Sequence, residues 1–233
     1  MNNFTEISLS SNNLDLYYVR TSILNALRNN LPDFKGRLLD IGCGKMPYKD
    51  YILQNSLTQI YVGLDIENAI QYDKNVKPDY YWDGKQMPFP DNSFETAFGT
   101  EVLEHCPYPQ VILDEVNRVL KPGGAFFFTV PFLWNLHETP YDEYRYTPFA
   151  LERLLRQSGF TQIKLEALGG WHASMAQMLG LWVCRAPIEY KWQKILKKLI
   201  FPIYKLLLRK DKKPTHFNGG YMITGLSGIA YKQ

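Results

Sequence analysis

The sequence predicts an α/β fold with a mostly parallel sheet. Short apolar runs of strand length alternate with stretches whose apolar residues recur at helical spacing, and the first run ends in a glycine turn. Strands separated by helices form βα units, which join neighbours in parallel. In order, residues 14–30 space Leu16, Val19, Ile23, Leu24 and Leu27 as one face of a helix, closed by Pro32 and Gly36. RLLDIG (37–42) reads as a buried strand, with a helix near 47–54. QIYVGLD (59–65), the weaker DYYW (79–82) and FETAFG (94–99) follow as strands. Residues 109–120 form a helix that LKPGG stops; AFFFTVP (125–131) is the fifth strand. A helix over 148–158 ends at Gly159, FTQIKLEAL (160–168) alternates as a sixth strand, and 221–232 is the last. Residues 169–219 break the alternation with two helical patterns, 171–184 and 188–209, and read as a helical insertion within a single domain spanning 1–233.

The 233 residues suffice for one such domain with a buried core. Cys43, Cys106 and Cys184 are odd in number and have no C-x-x-C spacing, which argues against a disulfide framework and a structural zinc site. No other metal signature is evident. MNNFTEISLS lacks the basic start and apolar run of a signal peptide, and no stretch approaches the roughly 20 apolar residues of a membrane span. A cytoplasmic setting is expected. Charge is uneven: segment 185–213 holds ten basic and two acidic residues, net +8, while the remainder of the +3 chain carries −5. That asymmetry suggests an anionic surface as partner for the segment.

The chemistry centres on LLDIGCG (38–44). Gly42 and Gly44 form a tight turn after a strand, where a backbone can approach a ligand closely. Asp65 ends the second strand, where a carboxylate can accept both ribose hydroxyls of a nucleoside. A dinucleotide site asks for G-x-G-x-x-G/A, and Pro47 occupies the third position. S-adenosylmethionine has no phosphate to place on a helix N-terminus. Its ammonium and sulfonium favour nearby carboxylates and carbonyls instead.

LLDIGCG, YVGLDIE and MPFPDNSFETAFGTEVLEHCPYPQVILDEVNRVLKPGGAFFFTVP together resemble the class I S-adenosylmethionine-dependent methyltransferases of the broad ubiquinone/menaquinone-biosynthesis-like (methyltransferase type 11) group. The resemblance covers about residues 37–168. It implies a Rossmann-like seven-stranded sheet, mostly parallel with an antiparallel last strand and helices on both faces. It also implies roles: Asp40, Gly42 and Gly44 line the methionine end of the cofactor, Asp65 takes the ribose hydroxyls, and Ile66 packs beside the adenine. Asp83 and Gly84 lie near the adenine amino group. Glu101 lies near the methionine part, with His105 following on the substrate side; Glu-x-x-x-His is equally the spacing of a plain surface pair on a helix. The insertion at 169–219 departs from the family, in which many members join the last two strands by a hairpin.

The loop LHETPYDEYRYTP (136–148) follows the fifth strand and should face the methyl group, because ligands sit outside the carboxyl ends of such strands. Methyl transfer needs the nucleophile held about 3 Å from the sulfonium carbon and, for a hydroxyl, its proton removed. His137 is the candidate base. Arg145 could pair with an anionic group of the substrate, or with a carboxylate of its own loop.

In 188–209, Ile188, Trp192, Ile195, Leu199, Ile203 and Leu206 form an apolar stripe interleaved with Lys191, Lys194, Lys198 and Lys205. It reads either as an interfacial helix on an anionic membrane or as one packed on its own domain or a second subunit. Pro202 should kink it. In 171–184, Trp171, Met175, Met178, Leu179 and Trp182 suit core, lid or lipid-pocket packing. The expected function is methyl transfer from S-adenosylmethionine to a small-molecule, saccharide or lipid acceptor. A non-catalytic cofactor-binding or membrane-adaptor module is the alternative, and a dinucleotide-dependent oxidoreductase is disfavoured by Pro47. Nucleic acid is not expected as partner, because the basic residues cluster away from the site. Homo-oligomerisation stays open, as does peripheral attachment at the inner membrane face.

Overall fold

The computed structural model describes residues 4–67 and 76–233. Seven strands form one sheet: β1 (Lys35–Ile41), β2 (Leu57–Ile66), β3 (Tyr80–Trp82), β4 (Phe94–Thr100), β5 (Leu120–Pro131), β6 (Phe160–Ala167) and β7 (Gly225–Lys232). Their spatial order is β3-β2-β1-β4-β5-β7-β6. The pairs β2–β3, β1–β2, β1–β4 and β4–β5 are parallel, and β7 runs antiparallel between β5 and β6. This is the expected mostly parallel sheet with an antiparallel last strand.

Helices α1 (Tyr17–Asn30), α2 (Lys49–Asn55), α3 (Pro109–Val119) and α4 (Pro148–Gln157) cover the sheet. Side chains alternate between faces along each strand. Leu39, Ile41, Phe126 and Phe128 pack with Ile112, Leu113 and Val116 of α3 and Leu151 and Leu155 of α4. Leu38 and Phe127 pack with Ile23, Leu24 and Leu27 of α1 and Ile52 of α2. The two apolar layers explain why the central strands read as continuous apolar runs.

One boundary differs from expectation. LKPGG does not separate α3 from the fifth strand; β5 begins at Leu120, directly after the helix. Leu120 pairs with Phe94, and the register then shifts so that Ala125 pairs with Thr96. The Pro-Gly-Gly segment is therefore a bulge inside the strand, which can lack a ladder donor at proline because the pairing is already interrupted.

Helices α5 (Trp171–Arg185) and α6 (Tyr190–Lys210) lie between β6 and β7 and share a small core of Leu14, Ala176, Val183, Ile200 and Tyr204. Gly180 permits the close approach of α5 to the chain before α1: a Cβ there would stand 2.3 Å from the Leu14 carbonyl oxygen. Gln177 Nε2 donates to the Asp15 carbonyl, and Arg185 Nε to the Asp15 carboxylate. Pro202 lies inside α6. No helix among the described residues is long and apolar enough to cross a membrane.

Candidate active site

Strand order reverses at β1, whose neighbours are β2 and β4. The crevice of an open α/β sheet lies at such a point, outside the carboxyl ends of the strands. The loop after β1 contributes the glycine turn, with Gly42 at φ +62° and Gly44 at φ +49°. A Cβ on Gly42 would lie 2.8 Å from both methyls of Val102, so the turn and the loop after β4 are in contact there. The turn is tied to the end of β2: Cys43 N–H donates to the Leu64 carbonyl and Gly44 N–H to Asp65 Oδ2, at 3.1 and 2.9 Å. Asp65 Oδ1 accepts from Ile66 N–H at 2.9 Å. A carboxylate offers about four acceptor sites, so Asp65 keeps capacity for ribose hydroxyls. Burial raises its pKa.

Asp40 takes a different place from the glycines. It is buried, and Tyr61 donates its hydroxyl to Asp40 Oδ2 from the next strand. Burial pushes the Asp40 carboxyl up to about 8, against the Tyr61 hydrogen bond, which lowers it. Its side chain is thus turned to the neighbouring strand β2. Ile66, the last residue of β2, is exposed, and a Cβ on Gly84 would stand 3.4 Å from Ile66 Cδ1. These two residues are neighbours at the carboxyl end of the sheet. Asp83 is exposed and accepts from Lys85 and Gln86 N–H, bonds that lower its pKa.

The segment after β4 is not the helix that Glu-x-x-x-His spacing suggested. Glu101 has φ +54°, and Leu103–His105 is a single 3-10 turn. This backbone sends Glu101 toward β5, where Thr129 donates to its Oε1 at 2.8 Å and Glu101 N–H donates to the Thr129 carbonyl. Glu104, which sequence reasoning did not single out, is completely buried, and neither carboxylate oxygen has a hydrogen-bond partner. Burial raises the pKa of both glutamates; the Glu101 charge raises Glu104 further, and Arg145 opposes the rise in each.

The loop after β5 folds back over this turn. Glu143 and Tyr144 N–H donate to the Glu104 carbonyl, and the Tyr146 hydroxyl to that of Leu103. His105 and His137 meet edge to face with ring centroids 4.8 Å apart. His105 Nδ1 lies 3.0 Å from the Tyr141 carbonyl, and His137 Nδ1 lies 3.3 Å from Asp142 Oδ2. Arg145 grips Asp142 with both Nη atoms, at 2.6 and 2.9 Å, which holds the Asp142 carboxyl down at about 2. Of the two partners open to Arg145 at sequence level, the structure shows the carboxylate of its own loop. Burial lowers the pKa of His137, favouring a neutral ring. One ligand atom each from Glu104, His105 and His137 lies within 4.8 Å of the others. The sequence signal for Glu104 is its place in EVLEH, one residue before His105, and that for Asp142 is its spacing three residues before Arg145.

Residues 39–128 match the model of a methyltransferase domain family. Over that stretch the chain is similar to a methyltransferase domain. A fatty-acid O-methyltransferase of Mycolicibacterium smegmatis is 32% identical over 99 residues, which cover 40% of this chain and 36% of that protein. The matched stretch thus spans well under half of that relative's length. Among solved structures, an S-adenosylmethionine-dependent methyltransferase from Mesorhizobium loti aligns with TM-score 0.56 at 17% identity, covering 91% of this chain and 98% of that one. The [4+2]-cyclase SpnF aligns with TM-score 0.57 at 21% identity, covering 92% and 82%. At these identities the likeness is one of fold. The match to the family model includes the glycine turn, Asp65 and Glu101, and a phosphoethanolamine N-methyltransferase of Haemonchus contortus, similar in fold, is solved with S-adenosylmethionine.

Proposed function

We propose that this chain is an enzyme that transfers a methyl group from S-adenosylmethionine to a small-molecule, saccharide or lipid acceptor. The observation that carries the reading is Asp65, held against the glycine turn by Gly44 N–H at the crevice where strand order reverses. Gly42 and Gly44 would line the methionine chain, Asp65 would accept the ribose hydroxyls, and Ile66 and Gly84 would border the adenine. Asp40 would act from β1, bonded to Tyr61. Glu104, His105 and His137 stand on the acceptor side, with Asp142 and Arg145 positioning His137. A polar cluster of this kind has no use in an adaptor that merely binds cofactor. Calorimetry with S-adenosylhomocysteine and NAD tests the reading: tight binding of the first alone is expected, and preference for NAD would refute it.

Helices α5 and α6 also present a surface to explain. On α6, Trp192 is 55% and Leu199 62% exposed, with Ile195, Ile203 and Leu206 exposed beside them. On α5, which packs against α6, Trp171, Met175, Met178 and Trp182 are exposed. Lys191, Lys194, Lys198 and Lys205 are exposed on α6. Apolar side chains with tryptophan among interleaved lysines match an anionic bilayer, at about 1 kcal/mol per lysine near the surface. This reading puts the enzyme in the cytoplasm, peripheral at the inner membrane face, and favours a lipidic acceptor. Cosedimentation should rise with the phosphatidylglycerol content of vesicles, fall with salt, and be lost in Trp192→Glu/Leu199→Glu. Equal indifference to neutral and anionic vesicles would exclude it, and a salt-resistant dimer abolished by the same variant would assign the surface to a second copy.

A further inference from the structure

Three features outside the cofactor crevice converge on one point. Glu104 is a fully buried carboxylate whose two oxygens have no hydrogen-bond partner, a state that calls for an unseen ion or donor. Two imidazoles stand beside it, with one ligand atom from each of the three residues within a 4.8 Å cluster. Both imidazoles also have the same nitrogen engaged. A carbonyl only accepts, so His105 Nδ1, 3.0 Å from the Tyr141 carbonyl, carries the proton of the neutral ring. His137 Nδ1 faces the Asp142 carboxylate at 3.3 Å, which selects the same tautomer. The Nε2 lone pair of each ring is thereby left for another partner, and His105 Nε2 lies 3.7 Å from Glu104 Oε1 and 3.5 Å from Glu138 Oε2.

We propose that Glu104, His105 and His137 bind one divalent first-row transition metal ion through a carboxylate oxygen and two Nε2 atoms. Asp142 and the Tyr141 carbonyl are its outer shell. An outer oxygen acceptor on the far ring nitrogen is the usual support of a metal-binding histidine, and here Asp142 is itself fixed by the Arg145 fork. Two imidazoles and one carboxylate leave coordination positions open and suit zinc, iron, cobalt or manganese better than calcium or magnesium. The three ligand atoms lie within 4.8 Å of one another, so an ion bound at about 2.0–2.2 Å from each would draw the side chains together.

The site deepens the methyltransferase reading and rests on it for its role. It names the acceptor as an oxygen nucleophile, a hydroxyl with a second oxygen close enough to chelate. Coordination makes the hydroxyl acidic, and its proton passes to water. The oxygen lone pair then forms the O–C bond as the C–S bond breaks. The electron pair of that bond stays on sulfur, giving a methyl ether and S-adenosylhomocysteine. His137 is then a ligand, and the proton leaves because of the ion instead of being drawn by that ring.

Metal-stripped protein dialysed against Co2+ in the absence of cofactor tests the site. One bound equivalent with visible d–d absorption is expected. His105→Ala/His137→Ala should lose both. Glu104→Gln, which removes only the charge from the buried position, and Asp142→Asn, which touches only the outer shell, should each weaken binding by about tenfold or more. His172→Ala, an exposed histidine elsewhere, should bind as the wild type does. No bound Co2+ in the wild type, or equal binding in the folded double variant, overturns the proposal. Protein that binds S-adenosylhomocysteine but no Co2+ refutes the ion alone; protein that binds Co2+ but no S-adenosylhomocysteine refutes the methyltransferase reading alone.

Discussion

Replacing Asp40 by asparagine should make the protein more stable at alkaline pH. Asp40 is 3% exposed, and its carboxyl titrates at about 8 in the fold because burial disfavours the charge. In the unfolded chain it titrates near the ordinary value of about 3.9. The folded state therefore holds a proton that the unfolded state has released across this interval. Stability falls as pH rises from about 4 to about 8, and is flat with respect to this group outside it. Each pH unit within the interval corresponds to about 1.4 kcal/mol. Between about pH 5.5 and pH 8 the wild type should thus lose on the order of 3 kcal/mol that the variant does not lose. Asparagine keeps a side-chain oxygen to accept the Tyr61 hydroxyl, so the variant should fold. Urea denaturation of both proteins at several pH values measures the difference directly, and other titrating groups cancel in the subtraction. Parallel stability curves across the interval would refute the buried, protonated Asp40.

Three further outcomes follow from the same geometry. Asp65→Ala should weaken S-adenosylhomocysteine binding by about 1.5–3 kcal/mol by calorimetry, since charge-assisted bonds to the ribose are removed; unchanged affinity in a folded variant would remove the ribose assignment. Gly42→Val should abolish that binding and lower the melting temperature, because the position has φ +62° and its Cβ would meet Val102 at 2.8 Å; normal binding would place the cofactor elsewhere. Tyr61→Phe should cost about 1–3 kcal/mol of stability by leaving Asp40 Oδ2 without its buried donor, read by denaturation at acid pH.

Much of the fold was legible because its signals are local. Strands β1, β4 and β5 are apolar on both faces, α3 and α4 have one apolar face each, and every strand and helix read from the sequence falls on an observed one. The bulge at Lys121–Gly124 was not legible, since Pro-Gly-Gly is a helix stop and a strand interruption in equal measure, and only the pairing with β4 decides. The glycine turn and Asp65 could be found because each closes a recognisable strand. The pairing of Asp40 with Tyr61 could not, because it depends on the register that sets β1 beside β2. Nor could the meeting of His105 with His137, which are separated by α3 and β5 and joined only by the way the loop after β5 folds back. For α6, the spacing gave an amphipathic helix but not its partner. Burial of Ile200 and Tyr204 alone leaves the opposite stripe of Trp192, Ile195 and Leu199 to solvent.

The turn after β1 and the end of β2 are expected to hold the methyl donor. A crystal structure of the complex with S-adenosylhomocysteine tests it most directly. Both ribose hydroxyls are expected within hydrogen-bond distance of the Asp65 carboxylate, with the adenine against Ile66 and the sulfur directed toward Glu101 and the His105–His137 pair. Ligand bound away from Asp65, or a sulfur facing away from the histidines, would contradict it.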